Sequence, residues 1–112
     1  MSLGNLWWRP KIPMSKLSAP SPGQLEICLD LIRQHPAAGP KESGEPFSAH
    51  LLRQDQYQSI YIDFVNRDAL PIGTIYKSWA VVFQIDGSTQ VFYGRSRRGA
   101  NGDSTLPPEG PE

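Results

Sequence analysis

A single cysteine, Cys28, leaves the chain unable to close an internal disulfide, and no Cys/His spacing matches a zinc site. A reducing, cytoplasmic setting is therefore expected. Long apolar runs are missing as well. No stretch approaches the ~20 residues of a membrane-spanning helix, and Met1–Met14 lacks the apolar core of a signal peptide, so no membrane partner is expected. Charge of one sign is also absent, with 11 basic and 11 acidic residues and a formal net charge of +0. That balance argues against a dedicated nucleic-acid binder held by bulk electrostatics.

The length of 112 residues fits one small domain. Hydrophobic residues make up 38% of the chain, below the ~45–50% usual for globular domains. The deficit is local, because Pro, Gly and Ser concentrate in residues 1–23 and 96–112. Residues 1–20 read as an irregular arm, since Pro10, Pro13 and Pro20 each remove a backbone donor and fix φ. Leu6, Trp7 and Trp8 are costly to leave in water, so the tryptophans should pin this arm onto the domain or onto a second copy. Residues 21–98 form the expected domain, and 99–112 the expected flexible tail.

Within the domain, Ser21-Pro22-Gly23-Gln24 has the pattern of a capping box with proline at the first helical position. Leu25, Cys28, Leu29 and Ile32 follow at helical spacing and make one apolar stripe. His35 falls in the last turn, where it would complement the helix dipole, and Pro36 stops the helix. From Phe47 the period becomes two. Strands are expected over Phe47–Leu52, Tyr57–Val65, Ile75–Ile85 and Thr89–Arg95, with Asp86-Gly87 as a hairpin turn. The fold class is thus α+β: one N-terminal amphipathic helix on a 3-4-stranded antiparallel sheet.

A two-residue Asp86-Gly87 turn would pair Val81 with Phe92, Val82 with Val91 and Ala80 with Tyr93. Trp79, Val81, Phe83, Ile85 and Phe92 would then join Ile60, Ile62 and Phe64 beneath the helix. The opposite face would carry Tyr61, Asp63, Tyr76, Ser78, Val82, Val91, Tyr93 and Arg95, too apolar for an ordinary solvated face. Three coverings are open: the arm, the same face of a second subunit, or a ligand held by Tyr61, Asp63, Tyr76, Ser78, Tyr93 and Arg95. Trp7, Trp8, Val82 and Val91 are the interface candidates. The leading expectation is a homodimeric interaction module with a protein or small-molecule partner and no cofactor. A small-ligand sensor with a tyrosine-lined cavity is another reading.

Arg95, Arg97 and Arg98 with Lys77 form the one basic cluster, which also serves simply to keep a strand end soluble. His50 in the first strand is the better placed histidine for proton transfer. The order of one helix and then four antiparallel strands resembles the small bacterial ribonuclease toxins of the barnase and colicin kind. That resemblance implies metal-independent RNA cleavage, with His50, Lys77, Ser78 and Arg95 as proton shuttle and phosphate clamp. Cys28 sits on the buried stripe, where a thiol behaves as a small hydrophobe.

Overall fold

The computed structural model describes residues 18–107, so Trp7 and Trp8 lie outside the described residues. Helix α1 spans Pro22–Arg33. Its start is the reciprocal cap: Gln24 N donates to Ser21 Oγ at 3.2 Å, and Ser21 N donates to Gln24 Oε1 at 3.0 Å. The strands are β1 (Ser48–Arg53), β2 (Tyr57–Asp63), β3 (Ile75–Gln84), β4 (Thr89–Arg97) and β5 (Ser104–Leu106). They pair in chain order as a five-stranded antiparallel meander, one strand more than expected. The extra strand comes from the segment expected to be tail, where Arg95, Ser96 and Arg97 pair with Leu106, Thr105 and Ser104. At the other edge, Ser18 and Leu51 exchange two backbone hydrogen bonds of 3.1 and 2.7 Å. No helix among the described residues is long and apolar enough to cross a membrane.

Cys28, Leu29 and Ile32 of α1 bury against Leu51, Ile60, Ile62, Trp79 and Val81, which share one face of the sheet. Burial pushes the Cys28 thiol up to about 12, which keeps it protonated and unreactive. His35, just past the helix end, is held by its ring. Its Nδ1 accepts the Ala37 N–H at 3.0 Å, and its ring lies edge-on to Trp79 and Tyr93 at centroid distances of 5.3 and 5.5 Å. Arg33 then ties the following loop to the helix, donating to Glu42 O at 2.9 Å and Gly44 O at 3.2 Å.

The β3–β4 register differs from the expected one by a single residue. Ala80 pairs with Phe92, Val81 with Val91, Trp79 with Tyr93 and Ser78 with Gly94. The cause is the turn. Gln84 and Ser88 close a three-residue loop, with Gln84 N donating to Ser88 O and Gly87 N to Gln84 O, both at 2.9 Å. Gly87 takes φ +90°, the left-handed residue that completes such a loop as a bulge. Because side chains alternate with period two, this slip moves all of β4 to the other face relative to β3. Val91 and Tyr93 therefore pack on the helix side. Phe92 joins Leu52, Tyr61 and Ala80 on the opposite side, and Ile85, expected in the core, is 84% exposed at the turn.

Candidate functional site

The sheet face opposite α1 changes character along its strands. One end is apolar and closely packed: Leu52, Tyr61, Ala80 and Val82 are buried, with Phe92 against the cluster. The other end is polar and concave. It holds a cavity of about 410 Å3 whose floor is built from Ser48, Ser78, Gly94 and Ser96. Small side chains at neighbouring positions of β1, β3 and β4 make the depth. Gly94, opposite Ser78 in the ladder, contributes no side chain at all, and a glycine within a strand is a common mark of close approach by another group.

His50 and Asp63 border this floor, and Phe47, Tyr76 and Arg67 stand around it. The pairings Ser48–Asp63 and His50–Tyr61 place these groups on one face, and Ser48 Oγ lies 3.5 Å from Asp63 Oδ2. Phe47 is 59% exposed, giving the rim an accessible aromatic surface.

One wall is fixed by Asp103, which precedes β5. Arg67 donates from Nε to Asp103 Oδ2 at 2.7 Å and from Nη2 to Oδ1 at 2.5 Å. The Tyr76 hydroxyl donates to the same carboxylate, and Gly99 N adds a bond of 3.3 Å to Oδ1. The Arg67 guanidinium, with help from the Tyr76 hydroxyl, holds the Asp103 carboxyl well below the usual carboxylate range. In return Asp103 holds Arg67 more firmly protonated. Burial, and then the bond to Asp103, raises the Tyr76 phenol, so this hydroxyl remains a donor and is not a base. Arg67 itself projects from a short 3-10 helix, Arg67–Ala69, capped where Asn66 Oδ1 accepts from Asp68 N at 3.1 Å.

Of the residues singled out from sequence, His50, Asp63, Tyr76 and Ser78 meet at this cavity, and Tyr61 lies on the same face, buried beside it. Tyr93, Lys77 and Arg95 are on the helix face instead, because of the one-residue slip in β4 and the alternation of β3. Lys77 Nζ donates to Ala37 O at 2.7 Å and sits 5.8 Å from the Tyr93 ring centroid. Arg95 Nη1 donates to Pro107 O at 3.1 Å. His50 is therefore separated by the sheet from Lys77 and Arg95, and the set that a ribonuclease-like site would use does not converge. Val82 and Val91 are likewise split between the two faces: Val82 is fully buried within the single chain and Val91 lies on the helix side.

Sequence reasoning did not single out Arg67, Asp103, Gly94 or Phe47 for this site. A lone glycine amid the alternating residues of β4 was the one available signal. Arg67 and Asp103 stand in irregular segments, where no periodicity points to a partner. Among the described residues, no group of three or more His, Cys, Asp and Glu side chains is arranged to hold a metal ion. Comparison with models of known protein families, with curated proteins and with solved structures finds no match.

Proposed function

We propose that this protein is a small binding module that takes a polar molecule of roughly monosaccharide or amino-acid size in the cavity bordered by His50, Asp63, Tyr76 and Ser78. The observation that carries this reading is the floor of Ser48, Ser78, Gly94 and Ser96 beneath a space of about 410 Å3. That volume is within the ~300–1,000 Å3 typical of ligand pockets. Asp63, His50 and the serine hydroxyls supply hydrogen-bonding groups along one side, while Phe47 and Val65 offer apolar surface. Such a mixture suits a ligand with hydroxyl or amide groups around a small carbon skeleton. The Asp103–Arg67–Tyr76 network supports the reading by bracing the wall, since a pocket held rigid before binding loses less entropy when it fills.

The test is a titration of the full chain with monosaccharides and free amino acids, followed by two-dimensional amide NMR. Binding should move the signals of His50, Asp63, Ser78 and Gly94. Ser78→Leu, which places a bulky side chain on the floor, should abolish those shifts while leaving the unfolding midpoint nearly unchanged. An undiminished response in Ser78→Leu, or a panel that moves none of these signals, contradicts the proposal.

A further inference from the structure

The two edges of the sheet are finished differently. On β1, Leu51 exchanges its outward backbone bonds with Ser18, so the middle of that edge is closed. On β4 the closure is partial, since among the described residues β5 meets Arg95, Ser96 and Arg97 alone. Gln84 N donates to Ser88 O at 2.9 Å and Arg98 N to Thr74 O at 2.8 Å, at the two ends of the β3–β4 ladder. Alternation between these bonds turns the even-numbered backbone groups of β4 towards β3 and the odd-numbered ones outward. Arg95 and Arg97 give theirs to β5. Thr89, Val91 and Tyr93 keep outward N–H and C=O groups with no strand beside them among the described residues.

Open sheet edges usually carry charges, prolines or bulges that keep other strands away. The stretch Thr89-Gln90-Val91-Phe92-Tyr93 holds no charge and no proline, and its β-branched and aromatic residues favour pairing. Thr89 and Gln90 are exposed. A formal net charge of +0 adds no general repulsion between two copies. The stretch is also centred on Val91, with the turn before Thr89 and the β5 pairing beginning at Arg95. A strand laid antiparallel on it, with Val91 opposite Val91, meets every open group and stops short of the Arg95–Leu106 pair.

We propose that this edge is an interface between two copies of the chain, β4 pairing antiparallel with β4 of the partner subunit about a two-fold axis at Val91. Such an interface is self-complementary, as a two-fold dimer requires. Val91 exchanges both backbone bonds with its own counterpart, and Thr89 does so with Tyr93 of the partner subunit. Gln90 then lies beside Phe92 of the partner subunit on the face opposite α1. Cross-strand pairs of β-branched and aromatic residues stabilise such a ladder. So short a contact buries less than the ~1,200 Å2 of a standard interface, so the dimer exchanges with monomer.

Sedimentation velocity on the full chain at rising concentration reads this association. A dissociation constant of ~0.1 mM or tighter would leave most chains paired at ~500 μM total protein. The mean mass should therefore climb from that of one chain towards that of two. Thr89→Pro removes an outward donor at the first residue of an edge strand, where proline is tolerated. It should hold the chain at monomer mass over the whole range, with an unchanged urea midpoint in dilute solution. A mixture of labelled and unlabelled full chain gives a reading that needs no substitution. Gln90 and Phe92 would face each other as a non-hydrogen-bonded pair, so a close contact between their Hα protons across the two copies is expected. A full chain that stays monomeric at the highest concentration overturns the proposal. So does a dimer that lacks the Gln90–Phe92 contact, or one that forms equally well with Thr89→Pro.

Discussion

Arg67 and Asp103, 36 residues apart in sequence, meet in a two-point ion pair through both carboxylate oxygens. Asp103 also receives the Tyr76 hydroxyl, so one carboxylate joins the loop after β2, the start of β3 and the segment leading into β5. Three elements that share no regular ladder at this point are thereby made into a wall.

Asp103→Ala removes that junction and should cost about 1–3 kcal/mol, because Arg67 and Tyr76 lose a shared charged acceptor. Urea unfolding measures the loss. Amide hydrogen exchange at Thr105 and Leu106 should accelerate more than in β2, since β5 is a three-residue strand held in place by this contact.

The same carboxylate predicts an acid-sensitive component of stability. Its ionised form is favoured in the folded state, where Arg67 depresses the carboxyl below its ordinary value of ~3.9. This contribution is complete above that ordinary value and declines as pH falls towards the lower folded value. Thermal unfolding from pH 6 to pH 2 should show the melting temperature dropping below about pH 5. The drop should be shallower in Asp103→Asn, which cannot titrate at this position.

Ser59 is fully buried, and among the described residues its hydroxyl has no hydrogen-bond partner. Ser59→Ala discards a polar atom that gains nothing from folding, so it should be neutral or stabilise the protein by up to about 1 kcal/mol. Ile62→Ala, three residues further along β2 and on the helix side, should cost about 2–5 kcal/mol through lost burial and a residual cavity. Equal effects for the two substitutions in chemical denaturation would contradict the packed apolar environment assigned to Ile62.

Gly87 has φ +90° and open space where a Cβ would stand. Gly87→Ala therefore meets a backbone penalty without a clash, expected at about 1 kcal/mol or slightly more. Gly87→Asn should be milder, because asparagine tolerates the left-handed region better. Melting temperatures of the two variants give the comparison.

The helix was legible in the sequence because its cap, its proline and its apolar stripe are all local signals, and each appears in α1. The four main strands were legible for the same reason, through alternation. The Asp86-Gly87 turn was correctly located, but its loop length was not determined, since that dipeptide fits two-residue and three-residue connections alike. One residue of difference there reassigns Val91, Phe92, Tyr93 and Arg95 to opposite faces. β5 stayed hidden because Ser104-Thr105-Leu106 is too short for a pattern and depends on the distant Arg67–Asp103 pair. Asp63, Tyr76 and Ser78 were recognisable as residues of one face because β2 and β3 keep their alternation independently of the β4 register, whereas His50 was singled out only for a separate catalytic set.

That register decides which side chains face the proposed binding cavity, and nuclear Overhauser contacts across β3 and β4 read it most directly. The structure places the Tyr93 ring against Trp79 and His35, at centroid distances of 5.3 and 5.5 Å, and packs Phe92 with Leu52 and Tyr61. Strong Trp79–Tyr93 and Phe92–Tyr61 contacts are therefore expected. Contacts of Tyr93 with Tyr61, together with Phe92 against Trp79, would reverse the two faces and remove the basis for the site.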